Sequence, residues 1–398
     1  MALTLGIIGT GIMGQRHIRG LGRLKQVGRL RYDVAGICDV APDNANKAAD
    51  LAEELLGRRP QVFPTLEQMQ HGLSQLDAVL ITTSPGTHAD IGIAAMQANV
   101  HVMVEKPIGL TIKQGWRLID ASDANEVKLA VAENYRRDPI NRLARALLES
   151  GVIGKPFLAV QSSSGSGENV IITPWRHLRK SCGISIDMGV HYTNMLEYFM
   201  GPIDTVVGMG AVIDKQRLGV DGKTYPADAE DLTVGTMRFH NGAIGNWLLN
   251  MAGRGAGHFS RTLYGMSGTL GIPGDRTGHP LQLTQRVNGK DIALTDDELL
   301  KLVPDFHLDA TTAALFGGER LPSYDLPWQD IDAGLLAIEH DDFASAILEN
   351  RQPEVSGDAG LRDLAVMYGF LESERAGRIV HIDELISGAV STYQNELE

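Results

Sequence analysis

Asp187 and His191 are the pair whose residue types and spacing most directly suggest chemistry. They lie four residues apart in SIDMGVHYTN, residues 185–194. Four residues are about one helical turn, so on a helix both side chains share one face. A histidine beside a carboxylate suits general acid/base catalysis. The same pair also suits half of a metal site, or a helix-start aspartate next to a core histidine, so the residues that face it must decide.

Lys106 is a second candidate, because it ends a predicted strand in EKP, residues 105–107. The residue before a proline is held extended or joined by a cis bond, so its side chain projects from a rigid base. A lysine close to another positive charge can share its proton with a hydroxyl group. Taken alone, the tripeptide also suits a surface lysine after a strand.

A glycine-rich turn lies near the start of the chain, upstream of these candidates. A buried strand is predicted at residues 3–9, LTLGIIG. It runs into GTGIMG, in which Gly9, Gly11 and Gly14 have G-x-G-x-x-G spacing, and an amphipathic helix is predicted next. In that context Gly9 allows the turn, Gly11 leaves room for a pyrophosphate, and Gly14 lets the helix pack on the strand. The helix N-terminus offers unpaired N–H groups to the anion. A glycine turn without a ligand is the alternative.

The second predicted strand, YDVAGICDV at residues 32–40, contains Asp39 at its end. An acidic residue here accepts hydrogen bonds from the adenosine ribose hydroxyls and repels the extra phosphate of NADP. No arginine directly follows Asp39, so the predicted cofactor is NAD.

Strands and helices continue to alternate up to about residue 135, which predicts a doubly wound parallel sheet with ligands at the carboxyl ends of its strands. Further strands are predicted at residues 76–83, 101–107 and 128–134, and further helices at 41–57, 87–99 and 111–125. The strand ends bring together TTSPGTH, EKP and ENYRR.

The second half of the chain shows a different pattern. After a helix from residue 140, strands follow with few helices between them, and His240-Asn241-Gly242 is a hairpin signal. This predicts an α+β domain with an open, mostly antiparallel sheet, whose uncovered face we expect to pack in a homodimer or homotetramer. Residues 162–170 are predicted to be a mobile loop, and residues 295–330 a lid, a dimer arm or a surface decoration.

The bulk composition limits the possible partners and compartments. With 398 residues the chain predicts two domains, residues 1–135 and 136–398, with a C-terminal helix that can pack back on the first. The net charge of −13 is unfavourable for nucleic acids. We see no signal peptide and no membrane-spanning run, and the two cysteines, Cys38 and Cys182, fit a reducing compartment, so we expect a cytoplasmic protein.

Six features occur in the order found in a known family. They are GTGIMG, Asp39, TSPGTH, VEKPIG, ENYRRDP and DMGVH. The chain resembles the Gfo/Idh/MocA oxidoreductases (glucose–fructose oxidoreductase, inositol dehydrogenase and rhizopine-catabolism proteins), specifically up to about residue 200 and poorly between about 272 and 330. The resemblance implies a Rossmann domain followed by an open sheet that covers the nicotinamide. It also implies Lys106, Asp187 and His191 as catalytic residues, with no metal, because the family's hydride chemistry needs none.

These motifs and the resemblance together define the expected site. The predicted cofactor-binding residues are Gly9, Thr10, Gly11, Ile12, Met13, Asp39, Thr83, Ser84, Pro85, His88, Glu105, Lys106 and Asn134. The predicted substrate-binding residues are Arg136, Trp175, Arg176, His177 and Asn194. The basic run Arg176, His177, Arg179 and Lys180 suits either an anionic group on a sugar or a solvated loop, and Arg254, His258 and Arg261 form a second basic patch of unknown position.

The leading functional hypothesis is an NAD-dependent dehydrogenase of sugars or cyclitols. In it, His191 is the general base, Asp187 orients its imidazole, and Lys106 polarises the reacting oxygen. The first alternative is a glycoside hydrolase that oxidises C3 transiently and reduces it again. The second is a nucleotide-sensing regulator without catalysis, which the presence of all three catalytic residues disfavours. The sequence does not identify the sugar or the oxidised carbon.

Overall fold

The first half of the chain forms a six-stranded parallel sheet in the order β3-β2-β1-β4-β5-β6. The structure is a computed structural model that describes residues 2–397. The strand order reverses between β1 and β4, which opens a crevice at the carboxyl ends of the strands. The strands are β1 Leu3–Ile8, β2 Tyr32–Cys38, β3 Gln61–Phe63, β4 Ala78–Ile81, β5 His101–Glu105 and β6 Leu129–Ala132.

Helices connect these strands, as expected for the predicted doubly wound sheet. Thr65 and Thr111 cap two of them by accepting hydrogen bonds from the backbone N–H groups three residues on. The short strand β3 and the helix after it were not predicted. The helices are α1 Ile12–Gln26, α2 Pro42–Leu56, α3 Leu66–Gly72, α4 Pro85–Met96 and α5 Ile112–Ala124.

The second half contains a nine-stranded, mostly antiparallel sheet in the order β16-β15-β14-β13-β7-β12-β11-β8-β17. Only β7 and β12 pair in parallel among its described strands, so the predicted fold class is confirmed. A separate two-stranded ribbon is formed by β9 and β10. The elements are α6 Pro139–Glu149, β7 Pro156–Ser166, α7 Ile184–Met200, β8 Ile203–Ala211, β9 Gln216–Leu218, β10 Thr224–Pro226, β11 Leu232–Phe239, β12 Ile244–Gly253, β13 His258–Gly265, β14 Gly268–Ile272, β15 Gln282–Val287, β16 Lys290–Leu294 and β17 Val380–His381.

The prediction of a mobile loop at residues 162–170 was largely wrong. The strand β7 runs on to Ser166, and Ser162 pairs with Leu248 on one side and with Ser260 on the other. Because β7 is an interior strand, both edges of its backbone are hydrogen-bonded, and this ladder outweighs the weak strand propensity of serine and glycine.

Six further helices follow in the described residues; α10 packs on the first domain, and α11 packs on both sheets. α10 packs on α1, where Gly20 brings the two backbones together. α11 packs on β8 and α7, and also on α5 through Leu361 at Gly115. The helices are α8 Asp296–Leu302, α9 Ala310–Phe316, α10 Trp328–Leu348, α11 Gly357–Ala376, α12 Ile382–Ile386 and α13 Thr392–Asn395.

Residues 295–330, which no motif explained, contain α8, α9, the loop that follows α9 and the first three residues of α10. Leu315 and Phe316 are buried in the apolar core that α1 and α10 share. The segment is therefore anchored to the body of the protein.

One face of the large sheet carries exposed apolar side chains, while α7 and α11 cover the other. Phe370 of α11 packs against Gly208 and Gly235 on the covered face. Met209 and Val234 are register partners on the outer face and are 70% and 44% exposed. Among residues 2–397, no helix combines the length and apolar character needed to cross a membrane.

Candidate active site

The glycine-rich turn has the geometry that its spacing predicts. Gly9 has φ +83°, and a side chain on Gly14 would lie 2.5 Å from the carbonyl oxygen of Gly9. A Cβ on Gly11 would meet no atom within 4 Å. Gly14 therefore allows α1 to pack on the turn, and Gly11 leaves open space at the helix N-terminus where an anion can approach.

Asp39 lies next to this turn, just after β2. Its Oδ2 accepts a hydrogen bond from the backbone N–H of Thr10 at 2.6 Å, and its Oδ1 accepts one from Ala41 at 2.8 Å. These bonds hold the carboxylate at the rim of the crevice. Thr10 itself is fully buried and supports Asp39 without lining the open space.

A cleft of about 850 Å³ runs from this rim to the second half of the chain. Most of the predicted cofactor-binding residues line it, and so do Trp175, Arg176 and Asp187 at the far end. The predicted residues on its wall are Gly9, Gly11, Ile12, Met13, Asp39, Thr83, Ser84, Pro85, Glu105, Lys106, Trp175, Arg176 and Asp187.

His88 and Asn134 were predicted to contact the cofactor, but neither lines the cleft. His88 is fully buried, with its ring nitrogens 3.0 Å from the carbonyl oxygen of Pro107 and 3.1 Å from that of Thr83. Burial lowers the pKa of His88, although these carbonyl groups oppose the shift. His88 therefore connects the backbone after β4 to the backbone after β5 from outside the cleft. Asn134 is buried, and its Oδ1 has no hydrogen-bond partner among residues 2–397.

Lys106 and Asp187 meet at the far end of the cleft, and the Lys106–Pro107 bond is cis. The ammonium group of Lys106 donates to Oδ1 of Asp187 at 2.9 Å and to its backbone oxygen at 2.8 Å, and Nε of Arg176 donates to Oδ2 at 3.2 Å. Burial opposes ionisation of Asp187, but the charges of Lys106 and Arg176 hold its pKa below the usual value. Asp187 is thus an ionised anchor for two cations.

His191 is held by Glu133 and not by Asp187, so the expected orienting role of Asp187 was wrong. Nδ1 of His191 lies 2.7 Å from Oε2 and 2.9 Å from Oε1 of Glu133. Burial works against ionisation of Glu133, but the charge and hydrogen bond of His191 bring its pKa below the ordinary value. An ionised carboxylate only accepts, so Nδ1 must donate; whenever the ring is neutral, its free lone pair is therefore on Nε2.

The ring of Tyr135 stacks on the imidazole of His191, with centroids 4.1 Å apart and planes 6° from parallel. The edge contact at Nδ1 and the face contact with Tyr135 together fix the plane of the imidazole. Glu133 and Tyr135 were both missed as site residues, although they lie in ENYRR at a strand end. The available signal was the acidic residue that opens this motif, directly after the apolar strand β6.

The predicted substrate residues Arg136 and Asn194 bond to each other, away from the cleft wall. Nε of Arg136 donates to Oδ1 of Asn194 at 2.8 Å, while Nδ2 of Asn194 donates to Asp363 at 2.7 Å. Burial raises the pKa of Asp363 well above its usual value. Asn194 is therefore fixed between Arg136 and Asp363 and does not line the cleft.

The basic run at residues 176–180 does not form one anion site. Arg176 stacks on Trp175 in the cleft, with its Cζ 4.3 Å from the ring centroid, whereas Arg179 bonds Tyr393 and Glu396 in the C-terminal segment. His177 is buried, and its Nε2 accepts from the backbone N–H of Ile171 at 3.0 Å. Burial, followed by the charge of Arg217, lowers its pKa to about 4, so it is neutral.

The second basic patch is also divided. Arg261 is buried and forms a bidentate ion pair with Asp275, whereas Arg254 is half-exposed and pairs with Asp214. The two arginines therefore balance separate carboxylates and provide no common binding surface.

Two family models match the chain, one to each half. Residues 3–133 match the NAD-binding Rossmann fold of the GFO_IDH_MocA oxidoreductase family, and residues 145–382 match the C-terminal alpha/beta domain of the same family. The chain belongs to the Gfo/Idh/MocA oxidoreductases, as its motifs predicted.

Individual relatives within this family have different names. A myo-inositol 2-dehydrogenase of Thermotoga maritima is 25% identical over 385 residues, 96% of this chain and 100% of the relative. A solved structure of levoglucosan dehydrogenase with NADH and levoglucosan superposes with a TM-score of 0.78 at 21% identity, covering 96% of this chain and 100% of that one. A family 109 glycosyl hydrolase of Akkermansia muciniphila is 27% identical over 155 residues, 38% of this chain and 31% of the relative.

Proposed function

We propose that the protein is an NAD-dependent dehydrogenase acting on a secondary hydroxyl of a sugar or cyclitol. The observation that carries this proposal is the His191–Glu133 pair, in which Nδ1 is tied to a buried carboxylate and Nε2 has no hydrogen-bond partner among residues 2–397. A histidine so held is a general base with one free nitrogen. Lys106 and Asp187 line the far end of the cleft, whereas His191 is buried one helical turn beyond Asp187 and is not among the lining residues.

The residues of the cleft fit a bound NAD. The open space at Gly11 suits the pyrophosphate, the N-terminus of α1 offers N–H groups to it, and the fixed carboxylate of Asp39 suits the ribose hydroxyls. When bound, NAD would accept the hydride from the carbinol carbon. The remaining work belongs to side chains of this chain.

The hydroxyl proton of the substrate passes to Nε2 of His191 as the alcohol is oxidised. The imidazole then carries a positive charge, which the Glu133 carboxylate stabilises through the Nδ1–H hydrogen bond. Tyr135 keeps the ring in plane during the transfer. A positioned general base of this kind typically contributes about 10²–10⁴-fold to the rate.

Lys106 stabilises the oxygen from which the proton leaves. Two of its three N–H groups are directed to the carboxylate and the backbone oxygen of Asp187, which leaves the third for the substrate. Asp187 holds the ammonium group in place, and it holds Arg176 on the same wall. This differs from the role first expected of Asp187, which was to orient His191.

The test is replacement of His191 by alanine in the full-length protein. We expect NADH formation with the wild-type protein and at least one sugar or cyclitol, and we expect His191→Ala to reduce kcat by about 10²–10⁴-fold while NAD binding stays close to wild type. A variant with wild-type kcat would refute the assignment of His191 as the base.

A redox-cycling glycosidase is the second candidate, favoured by the match to a family 109 glycosyl hydrolase. The same lysine and histidine would serve a transient oxidation at C3, followed by elimination of the aglycone, addition of water and reduction. The two functions differ in one observable. A glycosidase releases aglycone from a nitrophenyl glycoside without net NADH, whereas a dehydrogenase accumulates NADH.

We also propose that the outer face of the large sheet is a contact between copies of this chain. The supporting observation is the group of exposed apolar side chains on that face, which includes Met209, Val234 and Ile244. Size-exclusion chromatography with light scattering should give a dimer or tetramer, and Met209→Asp should shift it towards the monomer. A monomeric wild-type protein would contradict the proposal.

A further inference from the structure

Tyr135, which stacks on the proposed base His191, is itself held by Arg276 in the loop between β14 and β15. Nη2 of Arg276 donates to the hydroxyl oxygen of Tyr135 at 3.1 Å, and the guanidinium carbon lies 5.0 Å from the ring centroid. Because the same ring lies 4.1 Å from the imidazole of His191, a displacement of Tyr135 would be transmitted directly to the catalytic nitrogen.

Arg276 is fixed independently of Tyr135. Its Nη1 donates to Oδ1 of Asp332 at 3.1 Å, and its backbone N–H donates to Oδ2 of Asp138, also at 3.1 Å. Asp332 binds Arg16 of α1 through a second ion pair, so the carboxylate joins α1, α10 and the Arg276 loop. The guanidinium group is therefore a rigid support and not a mobile surface cation.

The backbone at Arg276 is also specialised. Its φ of +62° lies in the left-handed region, which is unusual for a residue other than glycine. The preceding Asp275 is clamped by Arg261 and Asn141, and the following loop is closed where the N–H of Tyr324 donates to the carbonyl oxygen of Gly278 at 3.0 Å. Contacts on both sides thus maintain a strained residue whose side chain reaches the site, a combination that often marks a functional position.

We propose that Arg276 is a positioning residue for the oxidation, which holds Tyr135 against His191 and so directs Nε2 towards the substrate. This inference rests on the proposed function of His191. It gives the segment from residue 272 onwards a role in the reaction, although the segment contributes none of the residues that line the cleft. An arginine suits this position because its planar guanidinium group can donate to Tyr135 and to Asp332 at the same time, from two different nitrogens.

The test compares Arg276→Ala and Arg276→Lys with the wild-type protein in steady-state kinetics. A misplaced base should lower kcat by about 10- to 100-fold in Arg276→Ala, with the KM for NAD within twofold of wild type. Arg276→Lys should have a higher kcat than Arg276→Ala, because lysine keeps the positive charge but cannot donate from two separate nitrogens. Guanidinium ion at low millimolar concentration should restore activity to Arg276→Ala, whereas urea at the same concentration should not.

Two further variants keep the inference falsifiable if Arg276→Ala folds poorly. Tyr135→Phe removes the hydroxyl group that accepts from Arg276 and keeps the stacked ring, so it should lower kcat in the same direction. Combining it with Arg276→Lys should add little further loss, because both changes remove one interaction. Arg286→Ala, at an exposed ion pair on β15, is the matched control and should behave as wild type.

The outcomes separate the two levels of the proposal. If His191→Ala is inactive while Arg276→Ala keeps kcat within twofold of wild type, the role of Arg276 is refuted and the proposed function stands. A loss confined to the KM for NAD, or an equal loss in Arg286→Ala, refutes it as well. If His191→Ala is fully active, the proposed function itself fails.

Discussion

Glu133→Gln is the sharpest test of the acid/base arrangement. Replacing one oxygen by an NH2 group removes the negative charge at residue 133 and reverses the tautomer expected for His191. Oε1 of Glu133 accepts from the backbone N–H of Tyr135 at 3.0 Å, and Oε2 accepts from Nδ1 of His191 at 2.7 Å. If the glutamine oxygen stays on Tyr135, its NH2 group faces Nδ1. The imidazole must then accept at Nδ1 and carry its proton on Nε2, which cannot take a proton from the substrate.

The magnitude follows from the bond that is lost. The pair is buried, and a hydrogen bond to a charged group contributes about 1.5–3 kcal/mol. If that contribution is made to the imidazolium and not to the neutral ring, its loss corresponds to about 10- to 150-fold in kcat. The inverted tautomer acts in the same direction, so we expect the upper part of this range or more.

The assay is NADH formation at saturating NAD, with NAD affinity measured separately by fluorescence titration. Glu149→Gln is the matched control, because Glu149 is exposed and its one ion pair among residues 2–397 is with Arg145 on the same helix. Glu133→Asp keeps the charge and should retain more activity than Glu133→Gln. If Glu133→Gln kept kcat within twofold of wild type, or lost only NAD affinity, the proposed base and its tautomer would be wrong.

Three further predictions test the cofactor rim, the pH dependence and the packing. Asp39→Asn should lower the ratio of kcat/KM for NAD over NADP by at least about tenfold, because it removes the charge that repels the extra phosphate; an unchanged ratio would contradict the role. His177 has a folded pKa of about 4 against about 6.5 unfolded, so the stability it contributes is complete above pH 6.5 and is lost as pH falls towards 4. His177→Gln should therefore show a smaller drop in melting temperature over that interval, and an equal drop would count against this linkage. Gly189→Ala places a Cβ 2.4 Å from Met367 and should lower the free energy of unfolding by about 1–3 kcal/mol, measured by chemical denaturation. Gly11→Ala meets no atom, so it should weaken NAD binding in a titration without changing the melting temperature. A destabilised Gly11→Ala, or a Gly189→Ala variant as stable as wild type, would contradict the packing.

The close contact at Gly189 also shows the limit of local reasoning. A glycine inside a helix predicts that something approaches closely, since it costs about 1 kcal/mol relative to alanine. The approaching group is Met367 of α11, not a ligand. Nothing in the sequence around residue 189 specifies which of the later helices will lie there.

The first half of the site was predictable because its information is local. The spacing of Gly9, Gly11 and Gly14 fixes a turn and a helix start within six residues, and Asp39 follows its strand directly. Parallel strands carry their carboxyl ends to one edge, so residues after different strands converge without any knowledge of side-chain packing. The family resemblance added the lysine and histidine in the same order along the chain.

Partner choice among buried charges was decided by the tertiary structure. His191 pairs with Glu133, 58 residues away, rather than with Asp187 one helical turn before it. Asn194 binds Asp363 at a separation of 169 residues, and Arg276 reaches Tyr135 across 141. Side chains that share a helix face need not bond each other, because a buried charge pairs with whichever opposite charge the packing brings within reach. The sequence by itself thus determined the class of fold, the cofactor rim and the candidate base, whereas only the packing of α7, α10 and α11 on the two sheets decided what orients that base.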